Sequence, residues 1–177
     1  MLQKTVRQHT ANYIEHTGAL TKIMVVQIGK DNTIRINRDV LDEIFLSIKQ
    51  YNYETGGIIG VNKRGVITVF QFDKSHSSCP FEYSPNVDFL NQIINGKWAN
   101  EEIEFVGFVH SHLNNDKVSL QDIIYCRRIL KKNSRLSSIL IGIINLSEKN
   151  SIIKWYIVCT NDVLEVMCQG QALRNFD

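Results

Sequence analysis

The sequence predicts an α+β fold, in which a mixed and largely antiparallel β-sheet is flanked by helices. Segments with strand character outnumber segments with helical periodicity, and several strands follow one another across short turns, as antiparallel hairpins do. Strands and helices do not alternate regularly, so a doubly wound sheet of the Rossmann type is not expected. The 177 residues suit one domain with a substantial core.

The composition is that of a soluble globular protein. Hydrophobic residues make up 44% of the chain and charged residues 21%. The formal net charge of +2 gives no electrostatic reason to expect nucleic acid or a membrane as the main partner. The N-terminal stretch has no uninterrupted apolar segment and no small-residue cleavage pattern, so neither a secretory signal nor a transmembrane helix is expected.

The cysteines indicate a reduced, cytoplasmic setting. Cys79, Cys126, Cys159 and Cys168 are widely spaced and form no C-x-x-C pair, and without an export signal disulfides are not expected. Most of these thiols are expected to be buried packing groups. Cys79 is the exception because it lies in a polar segment, where a place near a substrate channel is the alternative.

The N-terminal part of the chain predicts a hairpin followed by a helix. The first residues are ambiguous, with a helix around Gln8–His16 as one interpretation. Ile23–Ile28 and Thr33–Asn37 indicate two strands joined by a polar turn. Asp39–Asn52 has apolar residues at the spacing of an amphipathic helix. These apolar positions are Val40, Leu41, Ile44, Phe45 and Ile48.

The rest of the chain predicts strands and two further helices around one irregular segment. Asp73–Pro85 lacks periodicity and contains both prolines, so it predicts a loop. The predicted helices are Asn86–Trp98 and Ser119–Asn133. The predicted strands are Glu54–Val61, Gly65–Phe72, Ile103–His112, Leu136–Leu146, Ser151–Thr160 and Asp162–Cys168.

A polar cluster follows the apolar strand that ends at His112. Side chains alternate along a strand, so His110 and His112 point to one face and Ser111 to the other. Asp122 lies one turn into the helix that begins at Ser119, near the end of the strand. Two histidines, a carboxylate and an open position are the ligand set of catalytic zinc.

A structural interpretation of the same residues competes with the metal site. The pattern from Ser119 to Asp122 is also that of a helix capping box, which any helix could use. A pair of histidines separated by one residue is often only polar surface. Capping and metal binding are compatible, because Ser119 can cap the helix through one lone pair and still face the site.

The sequence resembles a known family at two motifs that occur in the expected order. The segment HSHLNNDKVSLQD (His110–Asp122) is similar to the JAMM motif of the JAB/MPN zinc metalloproteases, in which H-x-H and a short loop precede S-x-x-D. The segment YETGGIIG (Tyr53–Gly60) resembles the glutamate strand that precedes this motif in bacterial members. The resemblance covers roughly Asp39 to Cys159.

The resemblance implies a cytidine-deaminase-like JAB/MPN architecture and a set of site residues. His110, His112 and Asp122 would bind Zn²⁺. Glu54 would act as the general base toward the attacking water, and Ser119 would stabilise the oxyanion. Residues 23–177 would form the metalloprotease domain and residues 1–22 an N-terminal extension that could dock a partner. Without the resemblance, Glu54 is better explained as an exposed charge before a strand.

The sequence departs from the family pattern at two points. Leu113 stands where the family usually has proline after the second histidine, and the loop to Ser119 is one residue shorter than usual. Proline fixes backbone shape and is not a ligand, so its replacement should be tolerated. The shorter loop bears directly on whether Asp122 reaches the histidines.

The resemblance implies hydrolysis of an isopeptide or peptide bond after the C-terminal glycine of a ubiquitin-like protein. Partners would be that protein or its conjugate and the enzymes that activate and conjugate it, as in bacterial antiviral conjugation systems. Processing of a sulfur-carrier protein and a non-catalytic MPN-like scaffold are the alternatives. The segment Phe72–Pro85 would select the substrate, and His76 within it is expected to be solvent-exposed, with metal binding as a lesser alternative.

A run of basic residues keeps a nucleic-acid-binding interpretation open. The run falls on the predicted helix after Ser119 and comprises Arg127, Arg128, Lys131, Lys132 and Arg135. The apolar stripe of the same helix faces the core, so a solvated basic face is the expected structure and nucleic acid is not the expected partner. Salt-dependent binding to DNA would separate the two interpretations.

Overall fold

The computed structural model describes residues 32–74, 82–148 and 152–169, which form one seven-stranded sheet and three α-helices. The helices are α1 (Arg38–Ile48), α2 (Val87–Gln92) and α3 (Leu120–Lys132), and α2 continues into a π-helical turn over Ile93–Trp98. The strands are β1 (Thr33–Arg35), β2 (Gly56–Val61), β3 (Ile67–Phe72), β4 (Glu104–His112), β5 (Ser138–Asn145), β6 (Ile153–Cys159) and β7 (Val163–Gln169).

The sheet is mixed and largely antiparallel, as predicted. Its strand order is β1-β7-β6-β5-β4-β2-β3, and only the pairs β1–β7 and β4–β5 are parallel. The parallel pair β4–β5 requires a crossover, and α3 provides it. The chain therefore leaves the end of β4, forms α3 and returns to the sheet beside β4.

The sheet curls until its two edges touch. Ile36, directly after β1, forms a parallel bridge with Ile67 at the start of β3. The N–H of Asn37 donates a hydrogen bond of 2.9 Å to the carbonyl of Ile67. Strand twist accumulates across a sheet, which brings β1 at one edge to β3 at the other.

Helix α1 covers one face of the sheet. Its buried residues are the five apolar positions predicted from the sequence, Val40, Leu41, Ile44, Phe45 and Ile48. They pack with inward-facing residues of the strands in one core cluster, to which Trp155 and Ile144 contribute. The apolar stripe of α1 at helical spacing thus determines which face of the helix meets the sheet.

The remaining helices cover the opposite face of the sheet. Cys126 and Leu130 of α3 pack with Phe108 of β4 and with Trp98, whose side chain is fully buried, in a second core cluster. His110 and His112 project from β4 to the same face as Phe108. Helix α3 therefore begins over the end of β4 that carries the two histidines.

The structure corrects several predicted boundaries. The helix predicted over Asn86–Trp98 is a short α-helix followed by a π-helical turn, and the helix after Asn37 ends at Ile48 and not at Asn52. Strand β2 begins at Gly56, so Glu54 precedes the strand. The first strand of the predicted hairpin, Ile23–Ile28, lies outside the described residues, so its pairing with Thr33–Asn37 is not tested. In the described residues β1 pairs with β7.

Other predictions concern residues that lie outside the described ranges. They include the helix around Gln8–His16, the division between residues 1–22 and 23–177, and the side chains of His76 and Cys79. Among the helices of residues 32–74, 82–148 and 152–169, none combines the length and apolar character needed to cross a bilayer.

Candidate metal centre

The end of β4 places two imidazoles side by side. His110 and His112 are each 6% exposed, and their Nε2 atoms lie 3.0 Å apart. Ser111 between them points to the opposite face and is fully buried. The alternation predicted from the sequence is therefore confirmed, and the two ring nitrogens can approach one ion together.

Helix α3 brings a carboxylate to the same point. Ser119 is the N-cap of the helix: its Oγ accepts a hydrogen bond from the N–H of Asp122 at 3.1 Å, and its own N–H donates to Asp122 Oδ2 at 2.8 Å. This reciprocal pair is the predicted capping box. The same geometry fixes the side chain of Asp122 at the first turn, over the end of β4.

Asp122 contacts both histidines. Its Oδ1 lies 3.2 Å from His110 Nε2, and its Oδ2 lies 3.5 Å from His112 Nε2. The three residues are the group of possible metal ligands found among the described residues, with all ligand atoms within 4.8 Å of one another. Ligand atoms of a tetrahedral zinc ion lie about 3.4 Å apart, given bonds of about 2.0–2.1 Å. The nitrogens and oxygens here therefore fit such an ion.

The site favours a charged Asp122. Burial alone would raise the pKa of this carboxyl, but hydrogen bonds from His110, from His112 in its doubly protonated form and from Ser119 outweigh burial and hold the pKa well below its usual range. Burial alone would lower the pKa of His112, but its hydrogen bonds to Asp122 and Asn115 and the nearby negative charges raise it overall. Asp122 is therefore an anionic ligand in a site that can bind a cation.

The three residues open onto a cleft that also contains Glu54 and Ser119. The cleft has a volume of about 600 Å³. Glu54 is half-buried, and its Oε1 accepts a hydrogen bond from the N–H of Leu113 at 3.3 Å. The structure therefore brings all five residues singled out in the sequence to one cleft.

The loop after β4 holds its shape through hydrogen bonds. Leu113 donates to Glu54, Asn115 Oδ1 lies 3.1 Å from His112 Nδ1, and the hydroxyl of Tyr156 donates to the carbonyl of Asp116 at 3.2 Å. Neither the missing proline nor the shorter loop turns Asp122 away from the histidines.

Sequence reasoning missed a second set of residues at the site, around Tyr83. The ring of Tyr83 stacks on His110 with centroids 5.8 Å apart. Its hydroxyl donates at 3.3 Å to Oδ2 of Asp73, a fully buried carboxylate that also accepts from the N–H of Asn86 at 2.7 Å. Burial, and then the charge of Asp73, raise the pKa of Tyr83. No local pattern marks this contact, because Tyr83 lies in an irregular segment.

Gly56 explains how Tyr83 and His110 approach so closely. A Cβ atom at Gly56 would lie 2.6 Å from Cβ of His110 and 2.8 Å from Cε1 of Tyr83. Any larger residue would push the ring or the histidine aside. The first glycine of the T-G-G stretch after Glu54 therefore has a packing function beside the site.

Among the other residues singled out in the sequence, the structure describes three cysteines and the basic residues of α3. Cys126 is buried as predicted, and burial raises the pKa of its thiol to about 12. Cys159 and Cys168 are half-buried and, like Cys126, are free thiols. On the basic helix, Arg127 donates to the carbonyl of Cys159 at 3.4 Å and Arg128 lines the cleft.

Comparison with known proteins shows a likeness of fold. No protein-family model matches the chain, and no curated protein matches it in sequence. The solution structure of protein DSY2949 from Desulfitobacterium hafniense superimposes with a TM-score of 0.58 at 20% identity, covering 77% of this chain and 90% of that one.

A second solved structure is more distant. The crystal structure of AF2198, a JAB1/MPN domain protein from Archaeoglobus fulgidus, matches with a TM-score of 0.42 at 18% identity, covering 76% of this chain and 98% of that one. The chain shares the fold of DSY2949.

Proposed function

We propose that this protein is a zinc-dependent metallopeptidase of the JAMM type. Its proposed reaction is hydrolysis of the isopeptide or peptide bond after the C-terminal glycine of a ubiquitin-like protein. The observation that supports this most is the convergence of His110, His112 and Asp122 within 4.8 Å of one another in a cleft that also contains Glu54. Two buried imidazoles with one carboxylate form a site with an open position, as in catalytic zinc centres.

Each residue has a defined duty in this reaction. His110 Nε2, His112 Nε2 and a carboxylate oxygen of Asp122 would hold the zinc ion. When bound, zinc supplies a Lewis acid that polarises the scissile carbonyl and activates water for attack. The Glu54 carboxylate would take a proton from the attacking water and deliver it to the departing amine. Its hydrogen bond from Leu113 holds Oε1 and leaves Oε2 for the proton.

Ser119 would stabilise the oxyanion. Its Oγ accepts from the N–H of Asp122 through a lone pair, and the hydroxyl proton remains for donation into the cleft. Preorganised donors of this kind act strongly where water is excluded. No covalent acyl intermediate is needed, so the buried thiol of Cys126, whose pKa is raised, takes no part.

The substrate class comes from the resemblance of the two motifs, and the cleft is compatible with it. One wall is formed by residues 82–85, which have no helical structure, and the other by the cleft-facing side of α3. An extended peptide tail could lie between these walls and present its carbonyl to the zinc ion. Deconjugation and precursor processing, including that of sulfur-carrier proteins, would use the same chemistry.

Replacement of Glu54 tests the proposal. We predict that Glu54→Gln binds one zinc ion per chain as the wild type does but loses cleavage by about 10²–10⁴-fold, because general base catalysis contributes that much. The matched control is Glu82→Gln, since Glu82 lines the same cleft but has no assigned role. The assay measures zinc content and cleavage of a panel of ubiquitin-like proteins extended by a C-terminal fluorogenic amide.

Two results would contradict the proposal in different ways. Cleavage by Glu54→Gln at the wild-type rate would show that another group moves the proton. Zinc binding without cleavage of any panel member, including ubiquitin-like proteins encoded beside this chain, would favour the non-catalytic scaffold. His112→Ala provides the reference variant, because it should lose both zinc and cleavage.

A further inference from the structure

Asn115, in the loop after β4, contacts a proposed metal ligand from outside. Its Oδ1 lies 3.1 Å from Nδ1 of His112 and also accepts a hydrogen bond of 3.1 Å from the N–H of Lys117. The second contact, from a side chain to the main chain two residues later, is an Asx turn. One oxygen atom therefore serves both neighbours.

The Lys117 contact determines which way the amide of Asn115 lies. A main-chain N–H can only donate, so the atom that faces it is Oδ1 and not the amide nitrogen. An amide oxygen can only accept, so the proton in its contact with His112 lies on Nδ1. A neutral imidazole protonated at Nδ1 carries its free lone pair on Nε2.

Nε2 is the atom of His112 that faces the other ligands. It lies 3.0 Å from His110 Nε2 and 3.5 Å from Asp122 Oδ2. We propose that Asn115 is a positioning residue that holds His112 as the Nδ1–H tautomer and fixes its ring, so that Nε2 is presented to the metal ion. This inference rests on the proposed function for the identity of the ion, and on the hydrogen bonds alone for the tautomer.

The loop around Asn115 is held by hydrogen bonds that involve none of the three proposed ligands. On one side Leu113 donates to Glu54, and on the other Tyr156 donates to the carbonyl of Asp116. Leu113 directly follows His112, and its main-chain N–H makes the first of these contacts. The two hydrogen bonds restrain the backbone of the loop. The contact between Asn115 Oδ1 and His112 Nδ1 links this restrained loop to the ring of His112.

The tautomer can be measured directly in the metal-free protein. A long-range proton–nitrogen correlation spectrum at mildly alkaline pH distinguishes Nδ1–H from Nε2–H, and the signals of His112 are assigned by comparison with His112→Gln. We expect the Nδ1–H form in the wild type and a shift toward the other tautomer in Asn115→Ala. An Nε2–H form of His112 in the wild type would overturn the proposal.

Zinc affinity provides the second measurement, by competition with a chromophoric chelator. Loss of an outer partner of a ligating histidine typically weakens metal binding about 10–100-fold, and we expect this for Asn115→Ala. Asn115→Asp keeps the accepting oxygen and should bind zinc at least as tightly as the wild type. Asn114→Ala, the neighbouring control, should leave the affinity unchanged within about twofold.

Asn115→Ser separates the contact with His112 from the turn. Serine can still accept from the N–H of Lys117, but its oxygen is one bond closer to the backbone and falls short of His112. We therefore expect it to weaken zinc binding as alanine does. Wild-type affinity in Asn115→Ser or Asn115→Ala would overturn the proposal. If the wild type bound no zinc, the proposed function would fail, whereas the spectrum would still decide the tautomer.

Discussion

Ser111 shows at the level of one residue how the proposed base and the proposed ligands are joined. Its main-chain N–H donates to the carbonyl of Thr55 at 2.9 Å, and its Oγ accepts from the N–H of Thr55 at 3.0 Å. Thr55 directly follows Glu54. The residue between the two histidines therefore fixes the backbone beside the proposed general base, on the far side of the sheet from the cleft.

We predict that Ser111→Ala lowers the free energy of unfolding by about 1–3 kcal/mol, because the buried N–H of Thr55 loses its acceptor. Cleavage should fall while zinc affinity stays close to that of the wild type, since Glu54 is not a ligand. Chemical denaturation and chelator competition measure the two effects. Ser134→Ala, at an exposed position, is the control. A drop in zinc affinity as large as the drop in cleavage would contradict this explanation.

At the scale of elements, the start of α3 combines a structural and a chemical duty. The capping box stabilises the helix and also holds Asp122 toward β4. The two interpretations of Ser119–Asp122 left open by the sequence are therefore compatible in the structure. The carboxylate that accepts from the N–H of Ser119 is the same carboxylate that contacts both histidines.

Two substitutions at Ser119 separate these duties. Ser119→Ala removes the cap and should cost about 0.5–2 kcal/mol of stability, whereas glycine is a tolerated N-cap and should cost only about a few tenths. Neither variant has a hydroxyl for the oxyanion, so both should lose about 10²–10³-fold in kcat. Thermal unfolding and cleavage rates measure the effects. If Ser119→Gly retained full activity, Ser119 would be a helix cap alone.

At the scale of the whole molecule, the metal should stabilise the fold. The three proposed ligands come from β4 and α3, so an ion bound between them ties strand and helix together. An ion that binds only the folded chain adds about 2.7 kcal/mol when its concentration is 100 times its Kd.

We therefore predict that zinc at that concentration raises Tm by about 5–11 °C, since 1 kcal/mol corresponds to about 2–4 °C at this chain length. Differential scanning calorimetry with and without zinc measures the shift, and a chelator should reverse it. Asp122→Asn should fold but show little shift. An equal shift in this variant would indicate binding elsewhere on the chain.

The sequence predicted local features better than distant pairings. The apolar stripe of α1 and the alternation at His110 and His112 follow from periodicities that neighbouring residues carry. The parallel pairing of β1 with β7 joins segments more than a hundred residues apart, and no local pattern specifies it. Strand pairing depends on the packing of the whole sheet, so such registers are found only in the structure.

The candidate site was predictable to a similar extent. The histidines and Asp122 could be proposed from their spacing. Glu54 needed the family resemblance, because it lies much earlier in the chain, just before β2, and no spacing connects it to the histidines. Tyr83 and Asn115 were not predicted. Both contact the histidines through their side chains, from irregular segments in which residue spacing carries no geometric information.

The bridge between Ile36 and Ile67 has a consequence for contacts between molecules. Unpaired edges of a sheet are templates on which another chain can add a strand. Here the two outermost strands shield each other where they meet, with the main-chain groups of Asn37 and Ile67 already joined. A foreign strand therefore cannot pair with these two main-chain groups.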